Sequence, residues 1–138
     1  MTTSTTGGCL CGNVRYECSA EPTLMGNCHC RDCQRATGSA FFPFVVVPAA
    51  AFSLTKGEPK YHIAKSDSGN TVSRGFCIEC GSFLFAKLSA LPEIVCLTAA
   101  NLDDPSRFKP SMDIFVSSAQ PWDHMDPEVP KLPRGRSF

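Results

Sequence analysis

Two short cysteine turns dominate the sequence: residues 8–12 read GCLCG, and residues 76–81 read FCIECG. Zinc prefers four tetrahedral ligands in structural sites, and thiolates bind it well. The glycine that follows each cysteine pair accepts the positive φ that such a turn tends to require. The two turns together supply four sulfurs from distant parts of the chain. We therefore predict a structural zinc ion on Cys9, Cys11, Cys77 and Cys80.

A single Cys-x-x-Cys pair is also typical of redox motifs, but those begin a helix in a βαβ context. In this chain a glycine follows the second cysteine and strand-like segments flank the turn. The binding free energy of such zinc sites is about 10 kcal/mol or more at neutral pH. The ion is therefore expected to support folding by joining the N-terminal segment to a distant hairpin.

The segments around these turns have the short, β-branched and aromatic character of strands. Helical signal is limited to Arg31 to Thr37, which Gly38 would end, and to a single turn within Asp103 to Phe108. Pro43 suggests an edge strand or a bulge. We predict a mainly β fold with one or two short helices. The predicted strands are Asn13 to Cys18, Ala40 to Val47, Lys60 to Ala64, Thr71 to Phe76, Ser82 to Leu88, Glu93 to Thr98 and Met112 to Val116.

The chain has 138 residues, of which 43% are hydrophobic and 19% charged, as expected for one globular domain. We expect a disordered tail over residues 1–6, a zinc-binding domain over 7–126 and a Pro-rich C-terminal arm over 127–138. Lys plus Arg equals Asp plus Glu at 13 each, so no basic field favours nucleic acid or a membrane surface. Neither partner is expected.

The sequence also bears on compartment and on cysteine use. No apolar run approaches the roughly 20 residues of a membrane span, and the N-terminus lacks the pattern of a signal peptide. We therefore expect a cytoplasmic protein with reduced thiols. Its nine cysteines are an odd number, so disulfides cannot use them all. Cys18 and Cys96 lie outside the clusters and are expected to be small buried hydrophobes.

A third cluster, CHCRDC at residues 28–33, carries the predicted chemistry. Cys30 and Cys33 are one helical turn apart, Cys28 precedes them, and thiolates are favoured at a helix N-terminus. Three protein ligands leave an open position on a metal, which distinguishes catalytic from structural zinc. Three alternatives stay open: His29 as a fourth ligand, a second structural site, or three free thiols.

A zinc ion with three thiolates is electron-rich and suits a soft ligand such as a substrate thiol. The sequence therefore favours making or breaking a carbon–sulfur bond next to an electrophilic carbon. Arg31 and Arg35 follow on the predicted helix and could receive carboxylates of an anionic thiol, or simply form its solvated face. Asp32 is expected to cap the helix or support a ligand rather than act as a base.

Taken together, three motifs resemble the family of glutathione-dependent formaldehyde-activating enzymes, whose domain is shared with centromere protein V. They are Gly8-Cys9-x-Cys11-Gly12 with Val14-Arg15-Tyr16, Cys28-x-Cys30-x-x-Cys33 with Arg35 and Gly38-Ser39, and Arg74-Gly75-Phe76-Cys77-x-x-Cys80-Gly81-Ser82. The resemblance covers about residues 5 to 125 and includes Asp113 to Val116 and Pro121-Trp122.

The resemblance implies an Mss4-like fold of coiled antiparallel β-sheets. It implies a structural zinc on Cys9, Cys11, Cys77 and Cys80 and a catalytic zinc on Cys28, Cys30 and Cys33, to which glutathione would deliver its thiolate. The implied reaction condenses formaldehyde with glutathione to S-hydroxymethylglutathione, and in reverse it is a carbon–sulfur lyase activity. The expected partners are thus a small thiol such as glutathione and a small electrophile.

Three points stay open from the sequence. One is a non-catalytic zinc-binding interaction or scaffold module, which the neutral charge of the chain disfavours. Another is the assembly state, for which a homodimer is one alternative. The last is the wall of the substrate pocket, because aromatic residues can line a pocket or simply fill the core. The side chains in question are Phe41, Phe42, Phe44, His62 and Trp122.

Overall fold

The structure is a computed structural model, and it describes residues 4–135. Within that range the chain forms one α-helix, α1 (Arg31–Thr37), several single turns of 3₁₀-helix and ten strands. The strands are β1 (Thr5–Gly8), β2 (Arg15–Cys18), β3 (Leu24–Cys28), β4 (Phe42–Pro48), β5 (Phe52–Lys56), β6 (Lys60–Lys65), β7 (Thr71–Phe76), β8 (Phe83–Leu88), β9 (Leu91–Thr98) and β10 (Asp113–Ile114).

The strands form two sheets. β1, β2 and β5 make an antiparallel sheet of three strands, and the other seven pair in the order β10-β3-β4-β9-β8-β7-β6. All neighbours in the larger sheet are antiparallel except β10, which runs parallel to β3. The predicted mainly β fold is confirmed, and its paired sheets and cysteine turns have the Mss4-like arrangement.

Strand β4 lies in the middle of the larger sheet and contributes to a core on each face, as side-chain alternation along a strand requires. On one face Val45 packs in a core that also contains Cys9 and Cys77. On the other face the neighbours of Val45 along the strand pack in a second core, which contains Cys28 and Cys33. The sheet therefore separates the four-cysteine turns from the three-cysteine cluster.

Strand β1 lies partly within the expected tail 1–6, and residues 1–3 of that tail lie outside the described part of the chain. Thr5 is 1% exposed and its hydroxyl accepts a hydrogen bond from Arg107. The Thr6 hydroxyl donates to Asp103 at 2.6 Å. The expectation of a disordered tail was thus wrong for Thr5 and Thr6, because side chains about 100 residues away hold them in the sheet.

Strands β1, β3 and β5 were not predicted, and β4 differs from its predicted setting. β3 contains Gly26, where an added Cβ would lie 2.7 Å from the Phe44 ring, so a close approach between strands requires glycine.

Pro43 pairs with Asn27 of β3, whereas pairing of β4 with β9 begins one residue later. The edge-strand expectation for Pro43 was wrong: the strand is central, and the proline lies at its end, beyond the β9 ladder.

The predicted helix over Arg31 to Thr37 is confirmed, and Gly38 ends it with a φ of 68°. Residues 127–135 of the expected arm lie along β10: Asp113 N–H donates to Pro130 O, and Leu132 N–H donates to Asp113 O, both at 2.9 Å. Residues 136–138 lie outside the described part of the chain. Among residues 4–135, no helix is long and apolar enough to cross a membrane.

Candidate functional site

The four cysteines of the two turns converge, with all their sulfurs within 4.8 Å of one another. Cys9 Sγ lies 3.6 Å from Cys11 Sγ, which lies 3.7 Å from Cys77 Sγ. With zinc–sulfur bonds of about 2.3 Å, a tetrahedral site has sulfur–sulfur distances of about 3.8 Å. Gly12 and Gly81 have φ values of 81° and 78°, as the turns were predicted to need. This group of sulfurs could hold a metal ion, and it fits zinc.

Ser82 links the two cysteine turns. Leu10 N–H donates to Ser82 Oγ at 3.0 Å, and the same oxygen lies 3.2 Å from Cys80 Sγ. The hydroxyl and N–H of Ser82, together with the N–H of Cys11, lower the pKa of Cys80 to about 5. A thiol with a lowered pKa is deprotonated at neutral pH, which is the state that binds a metal.

The three cysteines of the middle cluster also converge within 4.8 Å. Cys28 ends β3, while Cys30 caps α1 and accepts a hydrogen bond from Cys33 N–H at 3.2 Å. Hydrogen bonds from the thiols of Cys28 and Cys33 lower the pKa of Cys30 to about 3, and the charge of Arg74 acts in the same direction. The bond to Cys30 raises the pKa of Cys28 to about 12. Cys30 is therefore the first of the three to ionise.

These three cysteines form part of the wall of a cavity of about 200 Å³. The rest of the wall comes from one face of β4, β7, β8 and β9, from the turn between β6 and β7, and from the end of β10, and it is largely apolar. The lining residues are Cys28, Cys30, Asp32, Cys33, Phe42, Phe44, Ser66, Val72, Arg74, Ala86, Leu88, Cys96, Ile114 and Phe115.

His29 lies between two of these cysteines in sequence, but its ring faces two carboxylates. Nε2 is 3.0 Å from Asp113 Oδ1, and Nδ1 is 3.2 Å from Asp123 Oδ2. The ring is 1% exposed and packs 5.4 Å from the Phe41 ring. The alternative of His29 as a fourth ligand is therefore wrong, since Nε2 is hydrogen-bonded to Asp113 and neither ring nitrogen joins the three converging sulfurs. No fourth His, Cys, Asp or Glu ligand atom joins the three sulfurs in residues 4–135.

The carboxylate of Asp113 anchors this region, a role that the sequence did not indicate. Burial raises the pKa of Asp113, but hydrogen bonds with His29, Lys131 and Asn27 outweigh burial and hold that pKa below its usual range. Lys131 belongs to the C-terminal arm and lies 2.9 Å from Asp113 Oδ2. Gln34 of α1 donates its amide to His29 O at 2.8 Å. The loop of residues 28–30 is thus held by β10, α1 and the arm.

Charged residues near the cavity are not those first expected. Arg31 and Arg35 are exposed on α1 and do not line it. Asp32 lines it but does not cap the helix, because Cys30 Sγ accepts that hydrogen bond. Arg74 does line the cavity, and among residues 4–135 no carboxylate lies within ion-pair distance of it. Its place is set by β7, where it pairs with Ala86 of β8.

The aromatic residues considered for a pocket wall divide into three groups. Phe42 and Phe44 line the cavity and are also buried in the second core. Phe41 packs on the ring of His29 instead. His62 is exposed, Trp122 is 63% exposed, and neither lines the cavity. The strand period that places alternate residues on one face could have identified the first two.

Cys18 and Cys96 are buried, as predicted, with 0% and 5% exposure. Cys96 also lines the cavity, which was not foreseen. Burial raises the pKa of Cys96 to about 12, so this thiol is protonated at neutral pH. It contributes to the cavity as a small apolar group rather than as a thiolate.

Comparison with known proteins adds three findings. Residues 4–118 match the profile of the family described as glutathione-dependent formaldehyde-activating enzyme. A candidate enzyme of that description from Phaeosphaeria nodorum is 30% identical over 82 residues, which cover 58% of this chain and 42% of the relative. A second, from Penicillium rubens, has the same identity and coverage. The alignments thus span less than half the length of these curated relatives.

The crystal structure of a Rhodobacter sphaeroides protein superposes with a TM-score of 0.56 at 22% identity, covering 71% of this chain and 87% of that one. At this identity the likeness supports the fold alone. The family match includes all seven clustered cysteines, whereas Pro121 and Trp122 lie beyond it. Because the match extends over most of the sequence, this chain belongs to the glutathione-dependent formaldehyde-activating enzyme family.

Proposed function

We propose that this protein catalyses the reversible joining of a glutathione-type thiol to a small aldehyde, as a zinc-dependent carbon–sulfur lyase or synthase. In the forward direction the thiol sulfur bonds to the carbonyl carbon, and the thiol proton ends on the carbonyl oxygen. In reverse, the carbon–sulfur bond breaks and both reactants are restored. S-hydroxymethylglutathione, formed from formaldehyde, is the adduct that the family description suggests.

The observation that carries this proposal is the opening of three convergent sulfurs onto a largely apolar cavity. A closed structural site has four protein ligands, whereas this group has three. Soft thiolate donors suit zinc, and a zinc ion on Cys28, Cys30 and Cys33 would stabilise a substrate sulfur as its thiolate at neutral pH. The apolar walls limit the water around that sulfur.

Arg74 is the group we assign to the thiol substrate. Its guanidinium lines the same cavity as the three cysteines and acts electrostatically on Cys30. Arg74 is half-buried and has no carboxylate partner among residues 4–135, so it is suited to bind a carboxylate of the substrate, since guanidinium and carboxylate form charge-assisted hydrogen bonds. Arg74 would thereby orient an anionic thiol with its sulfur toward the cysteines.

We assign a structural role to the other zinc site, on Cys9, Cys11, Cys77 and Cys80. It lies on the opposite face of the larger sheet. Its four sulfurs would fill all four coordination positions of a tetrahedral zinc ion, which leaves none open for a substrate. Reduced thiols are required at both sites, so we place the protein in the cytoplasm.

The test is the rate of exchange between free glutathione and its formaldehyde adduct, measured by NMR with zinc-loaded protein. Because the uncatalysed reaction is appreciable, each rate is compared with the same mixture without protein. We expect acceleration by the wild type and loss of it in Cys30→Ser. An exposed matched variant, Ser39→Ala on the loop after α1, is expected to keep the wild-type rate. A wild type that accelerates no thiol–aldehyde pair would instead fit a non-catalytic interaction module.

A further inference from the structure

The cavity beside the three cysteines is larger and more apolar than formaldehyde requires. Its volume is about 200 Å³. Seven of its lining side chains are hydrocarbon, and four of them are buried in the second core. These seven are Phe42, Phe44, Val72, Ala86, Leu88, Ile114 and Phe115. Formaldehyde has one carbon and no apolar substituent, so it would make no use of these contacts.

The volume of the cavity indicates the size of the group that it can bind. An apolar cavity of about 150 Å³ lined by Leu, Ile and Phe takes up benzene. Pockets that enclose drug-sized ligands measure about 300 Å³ or more, so the whole of glutathione, with its two carboxylates, is too large and too polar for this one. Transfer of apolar surface from water into such a cavity favours an apolar occupant. The fitting occupant is an apolar group of about one aromatic ring.

We propose that the cavity binds the substituent of an apolar aldehyde, aromatic or branched aliphatic, whose carbonyl carbon reacts with the thiol. This inference rests on the proposed function and specifies its electrophile. The thiol sulfur bonds to the carbonyl carbon, the thiol proton ends on the carbonyl oxygen, and no oxidant or reductant is needed. The product is a hemithioacetal, R–CH(OH)–S–R′, with R in the cavity.

The arrangement of the wall places the two reactants. Besides Cys28, Cys30 and Cys33, the polar residues that line the cavity are Asp32, Ser66 and Arg74, so its polar groups are few. Arg74 suits the anionic thiol, as argued above, and the hydrocarbon walls remain for the aldehyde. Phe42 and Phe44 stand side by side on one face of β4, with ring centroids 6.1 Å apart. A planar ring can pack against such a pair.

The first experiment compares aldehydes in the wild-type, zinc-loaded protein. Glutathione is mixed with formaldehyde, isobutyraldehyde, benzaldehyde or 2-naphthaldehyde, and each acceleration is taken relative to its own uncatalysed rate. We expect the greatest acceleration with benzaldehyde, at least about 10-fold above that with formaldehyde, since filling an apolar pocket changes selectivity by about that factor or more. The acceleration with 2-naphthaldehyde should be smaller than that with benzaldehyde, because its two fused rings are too large for the cavity.

The outcomes separate this inference from the proposed function. Acceleration that is equal or greater with formaldehyde overturns the inference and leaves the proposed function intact. No acceleration with any aldehyde overturns both. A preference for isobutyraldehyde or benzaldehyde over formaldehyde supports both.

A binding measurement tests the cavity without any reaction. Toluene is titrated into the protein, and amide NMR shifts are mapped. We expect shifts around the cavity in the wild type and their loss in Ala86→Leu, where the added side chain fills the space. The exposed Ala100→Leu is the matched control and should bind as the wild type does. Leu88→Phe is the second filling variant should Ala86→Leu not fold. Failure of the wild type to bind toluene at this cavity overturns the inference.

Discussion

His29 Nε2 lies 3.0 Å from Asp113 Oδ1, and the two side chains are 1% and 3% exposed. This contact ties the loop between β3 and α1 to β10, and Lys131 extends it into the C-terminal arm. Asp123 approaches the other ring nitrogen at 3.2 Å. The position of the three-cysteine cluster therefore depends on buried polar contacts that His29, within the loop of residues 28–30, makes with β10 and the segment that follows it.

Replacing His29 with alanine should destabilise the protein strongly. The change removes a hydrogen-bond partner of the buried Asp113 carboxylate, and leaving a buried polar group without its partner costs about 1–3 kcal/mol, more for a charged group. Urea unfolding of the zinc-loaded protein measures it. His62→Ala is the matched control, because His62 is exposed on the edge strand β6, and it should change the free energy of unfolding by less than about 0.5 kcal/mol. Equal effects of the two variants would contradict the structural role of His29.

The contact of Asp103 with Arg15 and Thr6 makes the stability of the fold depend on pH in a definite direction. Hydrogen bonds from Arg15 and Thr6 lower the pKa of Asp103 to about 2, whereas an unfolded aspartate has a pKa of about 3.9. The contact therefore stabilises the fold above about pH 4 and loses that contribution as the pH falls toward 2. At pH 4, carboxyl NMR shifts should report an ionised Asp103 in the wild type and a smaller ionised fraction in Arg15→Ala, where only the Thr6 hydrogen bond remains to lower the pKa. Arg35→Ala should resemble the wild type, and an unchanged Asp103 in Arg15→Ala would refute the assignment.

Replacing one cysteine with serine should have different effects on metal content and folding in the two cysteine clusters. We expect two zinc ions per wild-type chain, one in Cys30→Ser with the fold retained, and extensive unfolding in Cys80→Ser. The last expectation follows because structural zinc contributes folding free energy directly, about 10 kcal/mol or more. Metal analysis and circular dichroism check all three. An unchanged metal content in Cys30→Ser would remove the case for a second zinc site.

Local pattern was sufficient to predict the cysteine clusters and most strands. The turns at Gly12 and Gly81 follow from residue type alone, because glycine accepts positive φ. The predicted strand Asn13 to Cys18 likewise contains β2, in which alternate residues, Tyr16 and Cys18, are buried. These features depend on neighbours in sequence, and the structure confirms them.

The features that local sequence pattern could not predict depend on residues far away in the chain. β1 has the sequence Thr-Thr-Gly-Gly, which carries no strand signal, and it is held by Asp103 and Arg107. Similarly, Arg74 reaches the cysteines only because β7 and β4 belong to one sheet. Arg31 and Arg35 are close to the cysteines in sequence and seemed better candidates, but the helix turns them outward. Sheet order, which a single sequence does not specify, decides which charge faces the site.

Arg74→Met should separate binding of an anionic thiol from the chemistry. The variant keeps a long side chain against the cavity wall and removes the guanidinium, which has no carboxylate partner among the described residues. A hydrogen bond to a charged group contributes about 1.5–3 kcal/mol, so KM for glutathione should rise roughly 10-fold or more. The loss of positive charge beside Cys30 affects every thiol alike, whereas carboxylate binding affects only anionic ones. The ratio of kcat/KM for glutathione to that for neutral 2-mercaptoethanol should therefore fall in Arg74→Met and stay constant in Arg31→Met. A fall of equal size for both thiols would show that Arg74 acts on the cysteines alone.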